Sequence, residues 1–322
     1  EMMLSAKNKY RLTSSQLKQQ SINFIREKLN QPGKRKKIFY NVYEKIIKAA
    51  PPLFFPKEHL NLPRASQLNE KAIDWIKKQN TNFFLWIHYM DVHEPYAPID
   101  YKNKKEMTYL LIKFRYFPEK LTKQEIEKLK DLYDLEIKYT DNEINKFLEQ
   151  LKKLNVYENS IIIISADHGE AFGEHGTLGH GGQFREQLYD ENIHVPLIIH
   201  GLEKKGLIID KQVELLDLAP TICEILDISI PPSFFGQNLF SKTEKPTIAN
   251  CRFSISYRKK DLKLIVNKDE KENELYDLKN DPKEKENLYN TQIEAGKELE
   301  KEMINLLNSY KKKKKSLEIK LK

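Results

Sequence analysis

Residues Ile161 to Gly182 read IIIISADHGEAFGEHGTLGHGG, and this stretch decides how the rest of the chain is understood. It opens with four consecutive isoleucines. A short unbroken apolar run of β-branched side chains predicts a strand buried on both faces. The run stops at Ser165-Ala166-Asp167-His168-Gly169, which sets a carboxylate and an imidazole at the strand's C-terminal end. Open α/β sheets bind ligands at that end. Glu170, Glu174, His175 and His180 follow among six of the chain's eleven glycines. Glycine permits sharp turns and close backbone approach. Oxygen and imidazole groups gathered so tightly suit a borderline metal or an anionic substrate, against the plainer alternative of a surface loop with solvated histidines.

A second apolar run, Phe83-Phe84-Leu85-Trp86-Ile87, leads into Asp91, His93, Glu94, Pro95 and Tyr96. Pro95 and Pro98 stiffen the loop. His88, inside the run, reads as a hydrogen-bonded core or supporting histidine; His93, just beyond it, reads as a functional one. A third run, VPLIIH at Val195–His200, ends in Gly201. Strands near 83–88, 161–166 and 195–200 are expected to neighbour one another in one largely parallel sheet. Thr122–Lys153 reads as a long amphipathic crossover helix, with Leu129, Leu132, Tyr133, Ile137, Ile144, Phe147 and Leu148 as its buried stripe. Helices are also expected at Ser15–Asn30, Tyr40–Ala50, Arg64–Lys78, Val213–Leu226 and Glu284–Leu307. Past residue 240 the pattern changes to short strands at 247–254, 262–266 and 274–278, with an Asn280-Asp281-Pro282 turn.

The fold class expected is therefore α/β: a mostly parallel sheet between helices, followed by a small C-terminal antiparallel sheet plus helix. The domains expected are an α/β domain over 1–240, a small α+β subdomain over 241–309, and a solvated lysine-rich tail over 310–322. The chain has 322 residues, enough for one large core and a satellite. Its net charge of +8 comes from 55 basic residues set against 47 acidic ones, a dense mixed surface more than a basic stripe. The Lys311–Lys315 run lacks interleaved aromatics, so no nucleic-acid partner is expected. Cys223 and Cys251 form no CxxC pair, which disfavours a thiolate zinc site. No run of eighteen apolar residues is present, so no transmembrane segment is expected. Nothing in the sequence decides between a cytoplasmic and an exported location.

Taken together, FFLWIHYMDVHEPYAP at 83–98, SADHGEAFGEHG at 165–176, IHVPLIIHG at 193–201, VELLDLAPTICEILDI at 213–228, FFGQNL at 234–239 and ELYDLKNDPKEKENL at 274–288 resemble, in order, the motifs of the sulfatase family within the alkaline-phosphatase superfamily. The resemblance implies that Asp167 and His168 bind a divalent metal, calcium foremost, with manganese and zinc as alternatives. It implies that His93 contacts the transferred group or protonates the leaving oxygen, and that His180 faces that group. The implied activity is metal-dependent hydrolysis of a sulfate ester, with a substrate that is an anionic sulfate or phosphate ester, carried on a glycan in one version. Phosphoryl or phosphoethanolamine transfer, phosphodiester cleavage and a non-catalytic metal-binding scaffold are the alternatives. The family's nucleophile motif, Cys-x-Pro-x-Arg or Ser-x-Pro-x-Arg, whose first residue becomes formylglycine, does not occur in the 322 residues. The expectation is an N-terminally truncated sulfatase, with the nucleophile segment and first-strand aspartates missing, that is inactive by itself.

Overall fold

The computed structural model describes residues 63–181, 187–202, 206–269 and 271–320. The helices expected at 15–30 and 40–50 lie outside the described residues. The chain divides into two compact units, up to Gln150 and from Leu151 onward.

In the first unit, α1 (Ala65–Ile76), α2 (Lys104–Tyr116) and α3 (Lys123–Lys153) carry the structure. Helix α1 buries Ala65, Asn69, Ala72, Ile73 and Ile76, one face at helical spacing. The second helix was not anticipated from the sequence. Asn103 caps it by accepting from the Glu106 backbone N–H, and Met107, Leu110, Leu111 and Phe114 fill the core. Tyr96 is fully buried with its ring 5.8 Å from Phe114 and 5.4 Å from Tyr133. Helix α3 begins with a reciprocal capping box: Thr122 Oγ1 accepts from Glu125 N, and Glu125 Oε2 accepts from Thr122 N.

The buried line of α3 departs from the apolar stripe read in its sequence. Leu129 and Leu132 are buried as expected, but Ile137 is 41% exposed while Glu136, Thr140 and Glu143 are buried. The reason is a buried ion cluster. Arg64 pairs in a two-pronged fashion with Glu136 at 3.2 and 2.8 Å, and its Nε lies 2.8 Å from Asp91. Asn69 donates to the Glu143 carbonyl and accepts from the Tyr89 hydroxyl. Burial raises the pKa of Asp91 and of Glu136 above the ordinary carboxylate range, with Arg64 opposing it in both.

The second unit holds three sheets, and each is antiparallel. Strand β1 (Ile162–Ser165) pairs with β4 (Leu197–His200), Ile163 opposite Ile199. Strands β2 (Ala171–Phe172) and β3 (Leu178–Gly179) make a small hairpin between them. A short α4 (Asp190–Ile193) precedes β4, and α5 (Leu218–Ile225) follows it, entered through a 3-10 turn at Leu215–Asp217. Asp217 is buried and anchors this entry: it accepts from Glu214 N and Gln237 N and pairs with Lys245 at 2.7 Å.

These findings overturn the mostly parallel sheet expected from the sequence. Residues 83–88 form no ladder among the described residues, and Phe84 and Trp86 are 73% and 76% exposed. His88, expected as a hydrogen-bonded core or supporting histidine, is exposed. The runs at 161–166 and 195–200 do become neighbours, but in opposite directions. An unbroken apolar run reports the polarity of a strand's two faces and is silent on its direction, which the connection sets. Between β1 and β4 that connection holds a two-residue-strand hairpin and a four-residue helix, with no helix of crossover length among its described residues.

The C-terminal part forms the expected antiparallel sheet, with four strands in the order β5 (Thr247–Asn250), β6 (Ser254–Lys259), β7 (Leu262–Asn267) and β8 (Glu274–Asp277). The sequence showed three of them; β6 and β7 are joined by Lys260-Asp261, with Lys260 at φ 55°, a tight turn without the usual glycine signal. Helix α6 (Ile293–Lys320) covers one face, where Leu299 and Met303 pack with Tyr257, Leu264 and Leu275. The helix continues to Lys320, through the lysine run expected to be a solvated tail. Lys313 donates to the Phe234 carbonyl and sits 4.8 Å from the centre of the Phe235 ring, while Tyr310 meets that ring edge-on.

Candidate metal centre and histidine pair

The second unit assembles Asp167, His168, Glu170 and His180 around the end of β1. Gly169 makes the turn there by close approach: its N–H donates to the Asn192 carbonyl at 2.8 Å, and a Cβ on it would lie 2.1 Å from the Glu191 carbonyl oxygen. Only glycine fits, so the chain leaves β1 pressed against α4. The β2–β3 hairpin then turns through Gly173 and Gly176, both at positive φ, and returns the chain to His180.

His168 and His180 stack with ring centroids 3.9 Å apart and planes 22° from parallel. His168 Nδ1 lies 2.8 Å from the Gly169 carbonyl, so it donates, and Nε2 is the ring nitrogen left to meet a ligand. That Nε2 is 3.8 Å from Asp167 Oδ1. Such a separation is what two ligand atoms on one small cation show when each is about 2.0–2.2 Å from it. Asp167 is two-thirds exposed, and its Oδ1 also accepts from the His168 backbone N–H at 3.1 Å. Carboxylate and imidazole, with the imidazole anchored through its far nitrogen, fit a divalent metal. One oxygen and one nitrogen suit manganese or zinc as readily as calcium, which favours oxygen.

His180 is held by Glu170. Its Nδ1 is 3.1 Å from both carboxylate oxygens, and the Glu170 side chain is 4% exposed. The sequence grouped Glu170, Glu174 and His175 with the candidate ligands. Glu170 serves instead to orient His180; Glu174 accepts from the Phe172 backbone N–H at 2.6 Å; His175 turns to Glu191 and the Glu284 carbonyl. No motif spacing distinguishes a ligand from its support when both are carboxylates within a few residues of one another.

His93 belongs to the first unit, on the loop after residues 83–90. Its Nδ1 lies 2.7 Å from the Glu94 carbonyl and so donates, as in His168. Glu94 is pinned by Arg115 at 2.9 Å. Arg64, the arginine nearest this loop in the sequence to follow a proline, is committed to Asp91 and Glu136.

The model of the sulfatase family matches residues 23–228, well over half of the chain. An arylsulfatase of Clostridium perfringens is 26% identical over 270 residues, covering 72% of this chain and 55% of that protein. An uncharacterized sulfatase, YidJ, of Escherichia coli is 24% identical over 258 residues, covering 70% of this chain and 51% of its own length. The chain therefore spans about half the length of these relatives. Among solved structures, a phosphonate monoester hydrolase of Agrobacterium radiobacter superposes with a TM-score of 0.62 at 18% identity, over 77% of this chain and 62% of that one. That likeness establishes the fold.

Proposed function

The chain belongs to the sulfatase family, and from that premise we propose that its site binds a sulfate monoester with a divalent cation and serves sulfate-ester hydrolysis. The observation that carries this reading is the stacked His168–His180 pair with Asp167 on one side and Glu170 behind. Asp167 and His168 would hold the cation, which when bound neutralises charge on the ester oxygens. Glu170 keeps the His180 Nδ1 proton in place, which turns the opposite edge of the ring toward the sulfate oxygens. His93 donates a proton to the leaving oxygen or contacts the sulfate, its ring set by the Glu94 carbonyl. The domain layout proposed is a main region to residue 240, a subdomain over 241–309 and a lysine-rich end. No helix of the described residues is long and apolar enough to cross a membrane, and the proposed partner is an anionic ester, carried on a glycan. A relative named for aryl sulfates supports the sulfate assignment over phosphate.

No residue of the 322 stands in a Cys-x-Pro-x-Arg or Ser-x-Pro-x-Arg motif, so binding and not turnover is the quantity to measure. The experiment is calorimetric titration of the purified chain with manganese, zinc or calcium, then with an aryl sulfate and its phosphate analogue. The expected result is weak cation binding, for calcium at about the millimolar level, and metal-dependent sulfate-ester binding that Asp167→Ala and His93→Ala each weaken at least tenfold. Hydrolysis should stay at trace level. Equal ester binding with and without metal would overturn the reading; tighter binding of the phosphate ester would move the assignment to phosphoryl chemistry.

A further inference from the structure

His175, at the tip of the β2–β3 hairpin, meets two acceptors. Its Nδ1 lies 2.6 Å from Glu191 Oε1 on α4, and its Nε2 lies 3.0 Å from the backbone carbonyl of Glu284. A carbonyl never donates, and a carboxylate does so only when protonated. Each ring nitrogen facing an acceptor must carry the hydrogen, so this geometry calls for the imidazolium. The ring lies flat on Tyr189, centroids 3.6 Å apart and 11° from parallel, a placement that favours a cation over an aromatic face. The side chain is 11% exposed.

The acceptor carbonyl is itself held rigidly. Glu284 stands at φ 52°, and its buried carboxylate meets Lys263 Nζ at 2.6 Å and accepts from Asp190 N at 2.7 Å. Lys263 is fully buried and reaches Asp190 at 2.7 Å as well. The charged and titratable groups around His175 are thus Glu191 and Asp190 from α4, Glu284 from the turn after β8, Lys263 from β7, Glu274 through Tyr189 and Tyr276, and Arg258 at 3.8 Å from Asp190. Acidic groups outnumber basic ones in this set, which favours a cation at its centre.

We infer that His175 is a positioning residue: as an imidazolium it fastens the glycine hairpin, and with it the segment joining His168 to His180, to the C-terminal subdomain. The fastening explains how a hairpin of two-residue strands, too small to be stable alone, keeps a defined shape. It also gives the C-terminal sheet a part in setting the site, through Lys263 and Glu284. Burial disfavours the imidazolium, but the hydrogen bond and charge of Glu191, with the Glu284 carbonyl, outweigh it, so the His175 pKa is raised above its usual value. A raised folded-state pKa gives a stabilisation that is complete below about pH 6.5 and lost as pH rises through the folded value. The inference concerns loop placement and stands whether or not the site turns over a sulfate ester.

The test is NMR on the full chain with nitrogen-15-labelled histidine, His175 assigned by His175→Gln. Both His175 ring nitrogens are expected to show protonated shifts at pH 6.5, with a titration midpoint above that of a free histidine. Glu191→Gln should lower the midpoint by about one unit or more and reduce the exchange protection of the Gly173 amide about tenfold at neutral pH, since one unit corresponds to a tenfold equilibrium change. A bare ring nitrogen in the wild-type chain at pH 6.5 would overturn the inference. So would hairpin protection that is unchanged, after correction for intrinsic exchange, as His175 deprotonates. Should Glu191→Gln not fold, those two wild-type measurements decide the matter.

Discussion

Replacing Lys263 with methionine keeps most of the side chain's length and removes its charge. The ammonium is fully buried between Glu284, 1% exposed, and Asp190, 24% exposed. Its loss leaves Glu284 without a counter-charge where water cannot reach it, while Asp190 keeps only Arg258 at 3.8 Å. Glu284 already has its pKa raised by burial, with Lys263 as the main opposing influence. Breaking a buried pair from one side costs about 3–5 kcal/mol. With a urea m-value of about 2–3 kcal/mol/M, the upper part of the usual range, the midpoint should fall by about 1–2.5 M. Both tryptophans, Trp75 and Trp86, lie in the first unit, so unfolding of the second must be followed by hydrogen exchange on β7 and β8. Pairing the change with Glu284→Gln removes the stranded charge, and the double variant should recover at least about 1.5 kcal/mol relative to the sum of the singles. A Lys263→Met chain within about 1 kcal/mol of wild type, or strict additivity in the double variant, would refute the claim that this pair fastens the subdomain.

Arg64→Ala should destabilise the first unit by about 3–5 kcal/mol for the same physical reason, since Asp91 and Glu136 are both fully buried as side chains; tryptophan fluorescence in urea reads it directly, and a midpoint unchanged from wild type would contradict the buried-cluster account. Gly169→Ala places a methyl 2.1 Å from the Glu191 carbonyl oxygen, so α4 or the turn must shift; a cost of about 1–3 kcal/mol and weaker metal binding by calorimetry are expected, and a neutral outcome would mean the close approach is not maintained in solution. Glu170→Gln keeps the size of the side chain and weakens its hold on His180; ester affinity should fall severalfold while cation affinity, proposed to rest on Asp167 and His168, is retained. Equal loss of both would show that Glu170 is itself a ligand.

The Thr122–Lys153 helix was legible because its N-terminal capping residues follow local rules that need no partner, whereas the burial of Glu136 and Glu143 depends on Arg64 and Asn69. The same holds for the C-terminal strands and for the Asn280-Asp281-Pro282 turn, where Asp281 caps the backbone of Lys285 and Glu286. Helix α2 and strand β6 escaped notice because Lys104–Tyr116 and Ser254–Lys259 mix polar and apolar residues without a clean period, and their packing partners fix them. At the site, the sequence showed Asp167, His168 and His180 as candidates near a strand end among glycines, and the structure brings them near one another. The supporting role of Glu170 and the diversion of His175 were not, since both depend on residues brought in from α4 and from the turn near Glu284, up to 109 positions away.

What the sequence determined by itself is polarity and local geometry: which stretches are apolar and where glycine can turn the chain sharply; the terminal helix, expected from Glu284, starts at Ile293. Strand direction was beyond it, because four isoleucines have the same side chains whichever way a neighbour runs, and only the hydrogen-bond partners distinguish Ile163 opposite Ile199 from a parallel ladder. Protonation was beyond it too. A histidine in sequence can be a neutral ligand or a cationic strut; the two acceptors that meet His175 are facts of tertiary packing, and they decide its role.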